Sequence, residues 1–308
     1  MAYLTKWESY QTQVDLLKQR GMTITDEAKA LEYLERIGYC RLEGYWYPFR
    51  NDDLSQPKAK KAKLDTFKSG TCFKHAVDLY IFDKKLRLLL MDALERIEIA
   101  VREDVAYLLG EKDIQAHLNP NYFQKSFNHS DWTKKYNKLE QRSYEDCIKS
   151  YRKHGQTIPI WLACEVWDFG TLSWLFKGML ENDQDKISTK YGVANGSIFA
   201  SWLDSLNYMR NVCTHHSRLW DRNIDRQPKF NKKLAVGEVR LIEPFRNDYK
   251  LQTRVYLLIC ITRHLLDKIC PSSEWWKRLK EHMQSEFPDI EHLEVRLSDM
   301  GTITDWYK

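Results

Sequence analysis

In the stretch LRLLLMDALERIEIAVREDVAYLLG, Leu86, Leu90, Leu94, Ile97, Val101 and Val105 recur at spacings of three and four. That period is the buried stripe of an α-helix. The helical pattern holds from Cys72 to Gly110. A segment this long has to lay its stripe against other helices, which points to an all-α fold. The rest of the chain supplies partners of the same kind. SYQTQVDLLKQRG ends on a glycine stop, and TDEAKALEYLERIGY opens on a Thr25/Asp26 cap, carries Leu31, Leu34 and Ile37, and closes at Gly38. LQTRVYLLICITRHLL (251–266) reads as a long apolar helix. The chain is 308 residues long and 43% hydrophobic, enough for one large core or two ordinary ones.

Some stretches break the pattern. RLEGYWYPFRND (41–52) sets aromatics around Gly44 and Pro48, so residues 41–50 read as an aromatic loop that plugs the core rather than holds a ligand. QPKAKKAKLDTFKSG (56–70) reads as a solvated basic loop, though Lys58, Lys60, Lys61 and Lys63 are of the right type for phosphates. Residues 111–158 are polar and read as an insertion with a helical portion inside it. In IPIWLACEVWDFGTLSWLFKGML, Pro159 suits a helix start, and Gly170 with Thr171 suggests a break between two short helices. The expected organisation is an N-terminal helical and aromatic-loop region over 1–70, a helical domain over 71–270 with the insertion at 111–158, and a helical tail over 271–308.

Seven cysteines without a C-x-x-C pair read as reduced thiols. The opening MAYLTKWESYQ lacks the apolar core of a signal peptide, and no run approaches the roughly 20 apolar residues that span a bilayer. A cytoplasmic protein is expected, with no membrane association. The net charge of +5 is compatible with nucleic acid but does not require it.

One polar cluster carries chemistry. Drawn as a helix from 199 to 218, Phe199, Trp202, Leu203, Leu206, Met209 and Cys213 share an arc of roughly 80°. Asn207, Arg210, Asn211, Thr214, His215 and Arg218 share a second arc roughly 130° away. His216 then points towards Leu219 and Trp220, where a structural hydrogen bond is its expected task. An arginine fork binds a phosphate through two donors, and a histidine moves a proton near neutral pH. Asn211, one turn before His215, is placed to hydrogen-bond its ring. R-x4-H alone is a weak pattern, and a solvated polar face is the alternative. Neither H-E-x-x-H nor D-x-D occurs, and no metal or other cofactor is expected. On the long helix Glu95, Glu98 and Arg102 form a second polar row, either an exposed ion-pair ladder or a buried row that orients something. If it is buried, one carboxylate needs an arginine, and Glu98 paired with Arg102 or Arg210 is the preferred arrangement.

Four ordered blocks carry a resemblance: LEYLERIGYCRLEGYWYPFR, LYIFDKKLRLLLMDALERIEIAVR, IPIWLACEVWDFGTLSWLF and RNVCTHHSRLWDR. Together they resemble the Abi-like family of bacterial abortive-infection proteins, the AbiD/AbiF group, itself similar to the HEPN superfamily of helical ribonucleases. The resemblance implies a HEPN-like helical bundle with extra N-terminal helices and the polar insertion. It maps an R-x4-6-H motif onto Arg210, Asn211 and His215, with Asn207, Thr214, His216, Arg218, Glu98 and Arg102 in RNA-binding or supporting places. It implies a homodimer that faces two motifs across one cleft. RNA is the implied partner, as target and also as a small structured non-coding regulator. Two functions are therefore carried forward. The first is a metal-independent, toxin-like endoribonuclease of phage defence, in which the 2′-OH of RNA is the nucleophile. The second is a non-catalytic RNA-binding protein using the same polar face.

Overall fold

The computed structural model describes residues 6–55, 62–230 and 243–307. Thirteen α-helices and one two-stranded sheet lie in these residues, so the all-α expectation holds. They are α1 (Tyr10–Gln19), α2 (Glu27–Ile37), α3 (Tyr39–Trp46), β1 (Arg50–Asp52), β2 (Lys63–Phe67), α4 (Phe73–Gly110), α5 (His129–Arg142), α6 (Asp146–Lys153), α7 (Ile160–Ala163), α8 (Phe169–Gly178), α9 (Glu181–Lys190), α10 (Gly196–Thr214), α11 (Tyr249–Gln252), α12 (Val255–Ile269) and α13 (Trp275–Ser285). Among the described residues no helix is long and apolar enough to cross a membrane. All seven cysteines are free thiols.

Two compact units form. The first comprises the described residues of Met1–Leu89, His216–Arg222 and Lys277–Lys308. The second comprises Leu90–His215 and the described residues of Asn223–Trp276. The boundaries differ from 70 and 270, because α4 contributes Phe73–Leu89 to one unit and Leu90–Gly110 to the other. The whole apolar stripe of α4, from Leu86 to Val105, is buried.

In the first unit α1 and α2 are capped as their sequences require. The Ser9 side chain accepts from the Thr12 amide, and the Asp26 carboxylate from the Lys29 amide. Their apolar residues Val14, Leu17 and Leu34 are fully buried. Residues 41–50 are not a loop. Gly44 lies inside α3, and Pro48 falls in a single 3-10 turn (Tyr47–Phe49), where its missing amide costs nothing. Tyr45, Trp46 and Phe49 do plug the core. The second half of the expected basic loop is a strand. β2 pairs antiparallel with β1, Arg50 opposite Phe67 and Asp52 opposite Lys63. Lys63 is thereby committed to Asp52, 2.7 Å away. Lys58, Lys60 and Lys61 lie outside the described residues.

In the second unit α10 packs against α8, α9 and α12. Its whole apolar arc, Phe199 to Cys213, is buried. Residues 111–158 are built into this unit rather than appended to it. Trp132 of α5 is fully buried, its Nε1 donates to the Thr171 carbonyl at 3.0 Å, and its ring stacks on Tyr136. Removing an aromatic in such a place typically costs about 3–5 kcal/mol. The break near Gly170 falls earlier than expected. α7 and a 3-10 turn end at Val166, and Asp168 caps the start of α8.

Candidate active site on helix α10

The helix that carries the motif ends sooner than a wheel drawn to residue 218 requires. Asn195 caps its start, accepting from the Ile198 amide at 2.9 Å. Its last residue is Thr214, whose hydroxyl donates back to the carbonyls of Arg210 and Asn211, each at 3.1 Å. His215 is the cap residue, its amide donating to the Asn211 carbonyl at 3.0 Å. His216 has φ +55°, the left-handed conformation that stops the helix. Arg218 is therefore not on the arc with Arg210, and the two histidines are not 100° apart on one helix.

Within the second unit the polar face of α10 meets a charged network. Asn207, Arg210, Asn211 and Thr214 are all half-buried. Asn207 lies against the first turn of α8, where a Cβ at Gly170 would stand 3.4 Å from its Nδ2. Opposite, on α4, Glu98 pairs with Arg102 at 2.9 Å, both largely buried. Arg102 also donates to the Trp167 carbonyl at 2.8 Å and pairs with Glu165 at 3.5 Å. Burial pushes the Glu98 carboxyl above its ordinary range, while the charges of Arg102 and Arg210 pull it down. The row Glu95, Glu98, Arg102 is thus split. Glu95 is exposed, and Glu98 and Arg102 form a pair beside Arg210.

Asp168 completes the group. Burial raises its carboxyl, but the hydroxyl and amide of Thr171 and the ammonium of Lys135 outweigh this and hold it low. The Thr171 donors lie 2.7 and 2.6 Å away, and Lys135 lies at 3.1 Å. Sequence reasoning passed Asp168 over, although D-F-G-T is legible as a side-chain cap with its partner three residues on.

Arg210 makes no ion pair with a carboxylate among the described residues, and its Nη1 reaches only Asn211 Oδ1 at 3.5 Å, a long contact. Most of its donors stay unassigned. His215 is exposed and its ring has no partner among the described residues. The expected Asn211–His215 side-chain hydrogen bond does not form, because Asn211 turns its oxygen to Arg210. Chemically, the arrangement offers a guanidinium held near Glu98 and free to take an anion, with a solvent-accessible imidazole one turn further on. Among the described residues no three His, Cys, Asp or Glu side chains are grouped as metal ligands.

The stretch just after the motif belongs to the first unit, where side chains hold its backbone. Asp83, fully buried, accepts from the Trp220 amide at 2.9 Å and the Leu219 amide at 3.1 Å. It also accepts from Tyr45 at 2.7 Å and forms an ion pair with Arg87. Arg87 donates to the Ser217 carbonyl at 3.3 Å. Arg218 pairs with Asp221 at 3.1 Å and donates to the Gly44 carbonyl. His216 is exposed, and it is its carbonyl, not its ring, that is bonded, to Arg41. The structural hydrogen bond expected of its ring is absent among the described residues.

No curated protein and no solved structure matches the chain. Residues 32–221, more than half its length, match the family described as Abi-like protein. That span covers α3, α4, α8, α10 and the backbone clamp at 217–220. The chain belongs to the family of Abi-like proteins.

Proposed function

We propose that this Abi-like protein is a metal-independent endoribonuclease of a bacterial abortive-infection system, of the AbiD/AbiF group and HEPN type, acting in the cytoplasm as a homodimer. The observation that carries this reading is that a half-buried Arg210 on α10 and an exposed His215 at its end, with no ion pair on the first and no ring partner on the second among the described residues, stand on one short stretch. Arg210 holds the scissile phosphate and stabilises the charge that builds on it. His215 takes the 2′-OH proton or delivers one to the leaving 5′-oxygen. The 2′-oxygen bonds to phosphorus as the P–O5′ bond breaks, which yields a 2′,3′-cyclic phosphate and a free 5′-OH. Asn211 orients Arg210 through its side-chain oxygen, and Glu98, neutralised by Arg102, keeps the Arg210 charge available. A small structured RNA is the regulator that the family resemblance suggests.

The test is cleavage of RNA in EDTA. Cyclic-phosphate ends should form with wild-type protein and fall by about 100- to 10,000-fold in His215→Ala. Cleavage that needs a divalent ion, or that persists in a folded His215→Ala, would sink the reading. One observation favours a binding-only protein: among the described residues no side chain orients the His215 ring. That alternative predicts RNA retention without cleavage by wild-type protein.

A further inference from the structure

Three arginines of the first unit converge on one turn of backbone. Arg41, on α3, donates from Nη1 to the His216 carbonyl at 2.5 Å. Gly44 lies one turn further along the same face of α3. Its carbonyl accepts from Arg218, and a Cβ on it would lie 3.7 Å from the Arg218 Cδ. Arg222 donates from Nε to the Arg218 carbonyl at 2.7 Å. Each guanidinium is thus fixed on one side by a main-chain oxygen. Arg41 is exposed and Arg222 half-buried, and the Nε and Nη2 of Arg41 and both Nη atoms of Arg222 have no partner among the described residues. One carboxylate, Asp221, is paired into the cluster, through Arg218. The exposed imidazole of His216 stands on the turn that Arg41 holds.

Positive charge left uncompensated, on planes already fixed, is the arrangement that binds phosphates through forked hydrogen bonds at little cost in side-chain freedom. A single carboxylate ligand would use one fork. A track of several forks suits a chain of phosphates. We propose that Arg41 and Arg222, with Arg218 and His216 between them, form a phosphodiester-binding subsite for single-stranded RNA. The choice of RNA rests on the ribonuclease reading above. Neither Arg41 nor Arg222 stands in the R-x4-H motif, and the fold, not the sequence, brings Arg41 to a residue 175 positions away.

The experiment uses the full chain carrying His215→Ala, a fluorescein-labelled single-stranded RNA, and anisotropy titrations at several potassium chloride concentrations. Arg41→Gln with Arg222→Gln should weaken binding about tenfold or more, and should lower the slope of log K against log salt by roughly 0.7 for each phosphate no longer neutralised. Arg41→Lys keeps the charge and should keep the slope. If Arg41→Gln fails to fold by circular dichroism, Arg222→Gln alone should lower the slope by its own share. Unchanged affinity and slope in the double variant overturn the subsite, and so does failure of every form to bind the RNA. Loss of binding to phosphatidylserine vesicles with RNA binding intact also overturns it, and assigns the cluster to a lipid surface. Cleavage is followed in parallel with His215 restored. Normal cleavage with an unchanged salt slope removes the subsite alone. A reduced slope without cleavage by any form removes the ribonuclease reading alone.

Discussion

His117 has its whole side chain out of water, and neither ring nitrogen has a partner among the described residues. Its ring meets Tyr136 edge-on at 5.2 Å, and its own carbonyl accepts from His129 at 2.9 Å. Burial, helped by the nearby His129, pushes its pKa from 6.5 to about 4. The unfolded chain therefore binds a proton that the folded chain refuses. Stability from this residue is whole above pH 6.5 and is lost as pH falls towards about 4. Within that window the slope approaches about 1.4 kcal/mol per pH unit. Urea unfolding at several pH values should show a shallower dependence in His117→Gln than in wild type; equal dependence in the two would mean that the folded and unfolded chains protonate this ring alike. None of this was legible in the sequence. A histidine in a polar stretch gives no sign that the rings of Tyr136 and Trp167 will meet it.

At the scale of the element, α10 shows what periodicity conveys and what it omits. The apolar spacing from Phe199 to Cys213 names the buried face correctly, because burial acts through the helical period itself. The end of the helix falls four residues short of 218, at Thr214. No glycine or proline marks it, and the stop is made by His216 in a conformation that glycine usually fills. α3 departs from its sequence pattern the opposite way. Gly44 reads as a breaker but is kept helical while Arg218 lies across it. The left-handed turn at His216 has an energetic consequence. A non-glycine residue there costs about 1–2 kcal/mol, part of which glycine gives back through its greater freedom when unfolded. With an exposed ring losing no packing, His216→Gly should stabilise the fold by roughly 0.5–1 kcal/mol. Thermal unfolding of His216→Gly against His216→Val decides it. The expected order is glycine, then wild type, then valine, and a less stable glycine variant would show that the ring is held by something.

At the scale of the whole molecule, the boundary between the two units falls inside α4, between Leu89 and Leu90. No change of composition marks that point, because one apolar stripe runs through it. The same division separates His215 from His216: Arg210, Asn211 and His215 share the second unit with Asn207, Thr214, Glu98 and Arg102, while His216 and Arg218 belong to the first. Each chain thus offers one arginine–histidine set on α10. Cleavage by 2′-OH attack moves two protons, one away from the nucleophile and one onto the leaving oxygen. A single His215 cannot hold and lack a proton in the same step. Under the proposed reading a second copy supplies the other imidazole, and light scattering should report twice the 36.8 kDa chain mass. Co-expression with His215→Ala sharpens the test. Random pairing at equal amounts leaves about half of the wild-type chains with a wild-type partner. If both motifs are needed, activity per wild-type chain should fall to that fraction. If it stays unchanged at equal expression, each copy cleaves alone, and the second proton is carried by His216 or by water.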